Sequence, residues 1–509
     1  MTSALALNAS ALACADWPVD DEGLPWLVLL HGWGTDSSAW QSCRDWSRHY
    51  RVRTIDLPGA GASVACAWPD MDALLVQLAV LLPERCTLLG WSMGGQIATL
   101  LAARCADRVE RLVTLASNPH FLAQGDWPGM DAETGKTFHA LMEHKGVAGL
   151  TRFAMLVAHG DLRERQVMEA LRAGSQGAPD ERALLASLST LESLDTRAAL
   201  RELPMPVLHI LGEADQLVPV ALAKALRREY PKHAVQVLPA LAHAPFISDA
   251  QAVFNAMHAH DRKHAIASRF SVASSDYESV AGVQKIVIEQ LLAAAPPLRG
   301  RVLDMGCGTG LLAQRIMQQT DAQVTGCDIA QGMLDLARAN GVDAVYGDAE
   351  SLPFEDAQFD AVVSSSVLQW CEAPRVLTEV QRVLKPGGVF VFSIFGEHTL
   401  CELKAAFAML DDEQHINTFA SLEDWYAWSS AWQSSAFTRH SLRPHYDTLM
   451  ALLHELKAMG ANHRNAPRSA GLKGRRYWQA LDDAYAARTP EGHCTATWDV
   501  IIGVLEKPA

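Results

Sequence analysis

Cys86-Thr-Leu-Leu-Gly90 runs into Trp91-Ser92-Met93-Gly94-Gly95 and on into Gln96-Ile-Ala-Thr-Leu-Leu-Ala-Ala-Arg104. This passage decides the fold of the first half. A short apolar run reads as a buried strand, the glycines after it as a sharp turn, and the longer apolar stretch as a helix. The pattern Gly90-x-Ser92-x-Gly94 is weak by itself, because at ordinary glycine frequency a chain of 509 residues carries one by accident in roughly one case in five. Its position gives it weight. Flanking glycines permit a strained strand-to-helix turn that lifts the Ser92 hydroxyl clear of the sheet, with a helix N-terminus behind it.

Working outward, Leu24-Pro-Trp-Leu-Val-Leu-Leu30 is a second buried strand, entering the turn His31-Gly-Trp33-Gly34. Arg51-Val-Arg-Thr-Ile-Asp56 is another, ending in Leu57-Pro-Gly-Ala-Gly61. A serine hydroxyl attacks a carbonyl only when a neighbouring base takes its proton, so an acid and a histidine are sought at later strand ends. Pro206-Val-Leu-His-Ile-Leu-Gly212 leads to Asp215, with Glu213 a competitor on the same loop, and Ala234-Val-Gln-Val-Leu238 leads to His243. An ordinary loop Asp and loop His would explain either residue alone. Three residue types in this order at strand ends point instead to a nucleophile Ser92, acid Asp215 and base His243. The Met93 N–H is one candidate oxyanion donor, and Trp33 the other. Residues 118–203 lack strand patterning and read as several helices forming a lid over the serine.

A polar, histidine-rich junction, His258-Ala-His-Asp-Arg-Lys-His264, places a domain boundary at about residue 260, giving domains 1–260 and 261–509. Beyond it, Gly300-Arg-Val-Leu-Asp304 enters Met305-Gly306-Cys-Gly308-Thr-Gly310 and a helix, and Ala322-Gln-Val-Thr-Gly-Cys-Asp328 is a strand ending in an acid. Glycines let backbone approach a nucleotide, and such an acid accepts bonds from ribose hydroxyls. Leu311 stands where a dinucleotide fingerprint wants its third glycine, so no pyrophosphate seat is spelled out. S-adenosylmethionine has no pyrophosphate, and Asp304 suits its cationic ammonium end. Leu384-Lys-Pro-Gly-Gly388 reads as a turn before the fifth strand. The fold class is therefore α/β throughout.

Composition narrows the partners. A net charge of −15 argues against general nucleic-acid binding. The apolar runs are too short to span a bilayer. The N-terminus lacks the basic start of a signal peptide, its first positive side chain being Arg44, so a cytoplasmic protein is expected. The 10 cysteines show neither C-x-x-C pairs nor metal-ligand spacing, so neither disulfide nor metal is expected.

Together, His31-Gly-Trp-Gly, Gly90-Trp-Ser-Met-Gly-Gly, Ala116-Ser-Asn-Pro and Ala242-His-Ala-Pro-Phe-Ile-Ser248 resemble the pimeloyl-acyl-carrier-protein methyl ester esterases, within the α/β-hydrolase fold. The resemblance implies the triad Ser92, Asp215 and His243, an acyl site at Trp33 and Met93, and acyl contacts from Phe153, Ala154, Met155, Leu156 and Val157. Val157 stands where that family usually has glutamine. Arg152, Arg163 and Arg165 are candidates for docking an acidic carrier protein. The second half resembles Rossmann-like class I methyltransferases, which implies S-adenosylmethionine held by Asp304, Gly306, Gly308, Gly310 and Asp328, with Asp348 and Ala349 at the adenine. Arg269-Phe270, Tyr277, Ser365-Ser-Val-Leu-Gln-Trp370 and Ser393-Ile-Phe-Gly-Glu-His-Thr-Leu400 narrow that resemblance to malonyl-acyl-carrier-protein O-methyltransferases. Arg464, Arg468, Lys473, Arg475 and Arg476 are basic candidates for the carrier or its phosphopantetheine phosphate. The two resemblances imply a bifunctional enzyme that installs and later removes one methyl ester in biotin synthesis. The alternative is a general carboxylesterase fused to a quinone or small-acid methyltransferase.

Overall fold

A computed structural model describes residues 12–173, 178–280, 282–458, 474–489 and 494–509, with backbone alone at 173, 272–280 and 457–458. The chain divides into two units, Met1–Arg262 and Lys263–Ala509. The helix Ala250–Val280 runs through the division, since the polar junction contains no glycine or proline to stop it.

In the first unit, β1 (Cys14–Asp16), β2 (Trp26–Leu30), β3 (Arg51–Ile55), β4 (Cys86–Trp91), β5 (Val109–Leu115), β6 (Val207–Gly212) and β7 (Ala234–Leu238) form one sheet in the order β1-β3-β2-β4-β5-β6-β7. β1 pairs antiparallel with β3 and the remaining neighbours are parallel. The side chains of Leu27–Leu30, like those of the whole of β6, are buried. Such strands are covered on both faces, which is why they read as continuous apolar runs. Ser92, Asp215 and His243 follow β4, β6 and β7, so all three lie beyond the C-terminal edge of one parallel sheet. Between β5 and β6 come the helices Ala132–Lys145, Leu150–Ala158, Glu164–Ala173, Glu181–Ser193 and Arg197–Glu202. The Asp131 and Asp180 carboxylates cap two of them by accepting the N–H groups of Thr134 and Ala183.

In the second unit, β8 (Arg301–Met305), β9 (Gln323–Asp328), β10 (Asp343–Tyr346), β11 (Phe359–Ser365), β12 (Leu384–Phe395), β13 (Ser434–Leu442) and a last strand, Trp498–Glu506, share a sheet. A two-residue pair, β14 (His445–Tyr446) and β15 (Cys494–Thr495), stands apart from it, so the last strand is β16. The sheet order is β10-β9-β8-β11-β12-β16-β13, with β16 antiparallel to both neighbours. Alternate residues feed opposite faces: Val302, Val363 and Val391 join one apolar cluster, Leu303, Val362 and Phe390 the other. The strand order reverses direction between β8 and β11, where α/β sheets open a ligand crevice at their carboxyl ends. One local expectation is corrected. Leu384–Gly388 is not a turn ahead of the fifth strand but an interruption within β12: Leu384 pairs with Phe359, and pairing resumes at Val389 with Ala361. Pro386 has no N–H to give the ladder and Gly387 takes a φ of 70°, so the intervening residues loop out. Among the described residues, no helix is long and apolar enough to cross a membrane.

Candidate active sites

Ser92 sits on the turn after β4 with φ 53° and ψ −120°, a conformation costly for a side-chain-bearing residue. Packing enforces it. A Cβ on Gly90 would lie 2.1 Å from the Gly94 oxygen, and one on Gly94 would lie 2.4 Å from the His31 oxygen. The Ser92 N–H donates to the Leu115 carbonyl at 2.9 Å, and the Ser92 carbonyl accepts the Ser117 hydroxyl at 2.7 Å. His243 Nε2 lies 3.0 Å from Ser92 Oγ, and His243 Nδ1 lies 2.8 Å from Asp215 Oδ2. The other Asp215 oxygen accepts the N–H groups of Leu217 and Val218 at 2.8 and 2.9 Å, so this buried carboxylate is oriented from both ends. Glu213 is exposed and accepts the Ala240 N–H at 3.0 Å, away from His243.

Met93 is the first residue of the helix Met93–Arg104, so its N–H has no carbonyl within that helix. Trp33 follows β2 beside this turn: Gly32 packs so closely that a Cβ there would meet the Trp91 ring at 3.0 Å. His31 holds the loop. Its Nε2 accepts the Leu57 N–H at 2.9 Å and its Nδ1 faces the Gly32 oxygen at 2.9 Å. That pairing requires the neutral Nδ1–H tautomer, and burial lowers the His31 pKa in agreement. Asp56, in the next motif, accepts the N–H groups of Ser37 and Ala62 at 2.8 and 2.9 Å, which makes it a loop organiser.

The helix Leu150–Ala158 covers this region. Phe153 meets the Trp33 ring edge-on at 4.9 Å, and Phe138 meets it at 5.5 Å. Phe153, Ala154 and Val157 are buried, Leu156 is half-buried, and Met155 is 50% exposed. Positions i, i+1 and i+4 share one face of a helix, which groups Phe153, Ala154 and Val157 on the buried side and leaves Met155 exposed.

The segment after this helix grips the loop that carries His243. The His243 N–H donates to the Val157 carbonyl at 3.3 Å, and the Leu162 N–H to that of Ala240 at 3.0 Å. Asp161, buried, accepts the Ala242 N–H at 2.8 Å and the Ser248 hydroxyl at 2.5 Å. Arg163 donates to the Ser248 carbonyl, and Arg165 pairs with Glu169 at 2.8 Å. Of the three arginines considered for docking, Arg163 therefore serves the loop, Arg165 has a carboxylate partner, and Arg152 is exposed.

At the carboxyl ends of β8, β9 and β11 lies a cavity of about 110 Å³ whose walls include Gly306, Gly308, Asp328, Asp348, Ala349 and Trp370. Asp328 Oδ2 accepts the Gly308 N–H at 2.9 Å and Oδ1 the Ala330 N–H at 2.8 Å. Each oxygen keeps a second lone pair for a hydroxyl donor. Gly306 is sterically required, since a Cβ there would lie 2.3 Å from Val367, whereas one on Gly308 would meet open space. Lys263 closes the far side, its Nζ 2.7 Å from both Asp348 Oδ2 and Glu350 Oε2. Asp304 and Gly310 are not among the lining residues. The Asp304 carboxylate is buried and accepts the Ala313 N–H at 3.1 Å, while Gly310, with φ 87°, starts the helix Leu311–Gln319. Burial pushes the Asp304 pKa up to about 7, the Ala313 hydrogen bond opposing and the Asp328 charge adding to the rise.

Residues 27–256 match the model of the Alpha/beta hydrolase family, and residues 303–392 that of the Methyltransferase domain. Over 95% of this chain and 99% of the relative, the sequence is 40% identical to the Biotin biosynthesis bifunctional protein BioHC of Cellvibrio japonicus (strain Ueda107). The chain belongs to the bifunctional biotin biosynthesis proteins. A relative of the same name from Teredinibacter turnerae is 37% identical over 95% of this chain and 93% of its own. The first half alone is 36% identical to the Pimeloyl-[acyl-carrier protein] methyl ester esterase of Aliivibrio fischeri (strain ATCC 700601 / ES114), over 46% of this chain and 91% of that protein.

As a bifunctional biotin biosynthesis protein, the chain joins a hydrolase to a methyltransferase. Its structure adds residues that the sequence did not offer. Lys263 reaches Asp348 across 85 positions, and Asp161 reaches Ala242 across 81; neither lies in a motif, and no local spacing announces them. Arg464, Arg468 and Lys473 lie outside the described residues, as does the side chain of Tyr277; Arg475 and Arg476 are exposed.

Proposed function

We propose that the chain, a cytoplasmic enzyme, methylates the free carboxylate of a malonyl group on acyl-carrier protein and later hydrolyses the pimeloyl-carrier methyl ester to the acid and methanol. The continuous bond path from Asp215 through His243 to Ser92, in one chain with a methyltransferase domain, carries this reading. Ser92 Oγ attacks the ester carbonyl as His243 Nε2 takes its proton, and the Met93 and Trp33 N–H groups stabilise the oxyanion. His243 then returns the proton to the departing methoxide, and water releases the pimeloyl acid by the same steps. The helices of residues 118–203 form the lid, with Trp33, Phe153, Ala154, Leu156 and Val157 meeting the acyl chain.

In the second unit, S-adenosylmethionine supplies an electrophilic methyl group. Asp328 would hold its ribose and Asp348 and Ala349 its adenine, with Gly306 packed against Val367 in the cavity wall and Gly308 leaving open space beside it. Asp304, which accepts the Ala313 N–H of the helix that follows the glycine loop, would favour the cofactor's cationic end. A malonyl carboxylate is ionised at neutral pH, so the domain needs to align it and exclude water. Incubation with methyl-labelled S-adenosylmethionine and malonyl-carrier protein tests the whole reading. Label enters the carrier, and Ser92→Ala retains this transfer while losing ester hydrolysis. Absence of label, or loss of both activities in a folded Ser92→Ala protein, would overturn it.

A further inference from the structure

Beside the proposed cofactor cavity lies a smaller chamber of about 40 Å³ that shares Phe270, Ser366 and Trp370 with it and continues to Gln369, Phe395 and Asn417. Its composition is unusual for a packed interior. The buried Ser366 Oγ, Gln369 Oε1 and Asn417 Oδ1 have no hydrogen-bond partner among the described residues, although buried polar atoms are normally paired. The Phe270 and Trp370 rings meet edge-on at 5.8 Å between centroids.

Ser366 is held there against its own backbone preference. Its φ is 58°, a left-handed conformation that serine rarely adopts. Three bonds fix it: its N–H faces the Ser393 carbonyl at 3.0 Å and the Ser393 hydroxyl at 3.1 Å, and its carbonyl accepts Gln369 Nε2 at 2.6 Å. Strain maintained by surrounding structure while the hydroxyl is left unpaired is a mark of a ligand-contact residue.

We infer that this chamber is the methyl-acceptor site and that Ser366 binds the acceptor's free carboxylate, an inference that rests on the carboxyl-methylation reading above. The hydroxyl donates one hydrogen bond to a carboxylate oxygen, which orients that oxygen and leaves its remaining lone pairs free to attack. Asn417 offers a second polar contact, its carboxamide being able to turn either end to the ligand. Phe270, Trp370 and Phe395 enclose the short acyl chain and keep water from the reacting oxygen. Gln369 acts through Ser366, as a positioning residue. The ligand class is thus a short acyl thioester ending in a free carboxylate, and its methyl ester is a poor fit because it has lost the anionic acceptor.

The test uses the full chain loaded with S-adenosylhomocysteine and titrated by calorimetry with malonyl-pantetheine or its methyl ester. The acid binds, the ester binds at least about tenfold more weakly, and Ser366→Ala weakens the acid by about tenfold, the scale of one charge-assisted hydrogen bond. Homocysteine-form cofactor affinity stays within about twofold. Ser366→Gly, which removes the hydroxyl and relieves the backbone strain, behaves like Ser366→Ala and guards against a folding defect. Equal binding of the acid by wild type and both variants overturns the assignment of Ser366 while leaving carboxyl methylation intact. A parallel loss of S-adenosylhomocysteine affinity moves Ser366 into the cofactor site and also overturns it. Failure of the wild-type chain to bind the acid at all removes the malonyl reading, and this inference with it.

Discussion

Trp91 Nε1 donates a 2.7 Å hydrogen bond to the carbonyl oxygen of His243, so the residue preceding the proposed nucleophile holds the backbone of the proposed base. The pair is buried, and the Trp91 ring also packs edge-on against Phe246 at 5.0 Å. Trp91→Phe keeps most of the packing but leaves a buried carbonyl unpaired, at a cost of about 1–3 kcal/mol. The expected result is a lower melting temperature together with a fall in esterase kcat, while methyl transfer per folded molecule is unchanged. An unaltered kcat would show that the bond stabilises without orienting His243.

Asp161 offers a different kind of test, because it reaches the same loop from the helical insertion. Its carboxylate takes the Ala242 N–H and the Ser248 hydroxyl, bracketing His243. Asp161→Ala leaves both donors buried without a partner, and a loss of about 2–4 kcal/mol in stability is expected from two such groups. Asp161→Asn retains one accepting oxygen and should recover part of the loss. If the brace sets the His243 position, Asp161→Asn lowers kcat more than it raises KM; a change confined to melting temperature would make the brace purely structural.

How much of this was legible beforehand follows from how far apart the partners lie in sequence. Ser92, with its glycines, is a local event, since strand, turn and helix occupy neighbouring residues and the steric demands at Gly90 and Gly94 are written in the motif itself. Asp215 and His243 are legible as candidates because parallel strands bring their following loops to one edge. Asp161 and Lys263 are not legible because a single carboxylate between two helices, or a single ammonium on a helix, has many partners available, and only tertiary packing selects one. The Leu384–Gly388 interruption has the composition of a turn, and only the pairing with β11 shows that the strand resumes in place.

Asp304 gives a pH dependence whose sign can be stated. Burial raises its pKa to about 7 in the folded chain, against about 3.9 for an exposed aspartate. The folded state therefore binds the proton more tightly than the unfolded state. The resulting stabilisation is complete below the unfolded value, declines as pH rises, and is lost once pH passes about 7. Asp304→Asn keeps an oxygen for the Ala313 N–H without the buried charge. Without added cofactor, the variant is expected to be more stable than the wild type by about 1–2 kcal/mol near pH 5 and by about 4 kcal/mol at pH 8. Identical melting curves at pH 8 would show that Asp304 is ionised at little cost in the folded protein.

A chain that both installs and removes one methyl ester has to spare the ester it has just made, or cofactor is consumed in a futile cycle. Selection must act on acyl length, because the ester group itself is the same in both molecules. A pimeloyl chain carries four more methylenes than a malonyl one, each contributing about 0.8 kcal/mol when buried, so the ceiling is about 3 kcal/mol, or roughly a hundredfold in kcat/KM. The surface available to bury them is the aromatic cluster in which Phe138 and Phe153 pack edge-on to Trp33, together with Ala154 and Val157 on the inner face of the same helix. Esterase kcat/KM is therefore expected to be far higher for pimeloyl-carrier methyl ester than for malonyl-carrier methyl ester. Phe153→Ala removes part of that wall and narrows the gap by lowering the rate on the long ester, with little effect on the short one. Met155→Ala, on the exposed face, serves as the control and leaves the ratio unchanged. Equal rates on the two esters in the wild-type chain would remove the length-selection account and favour a general carboxylesterase.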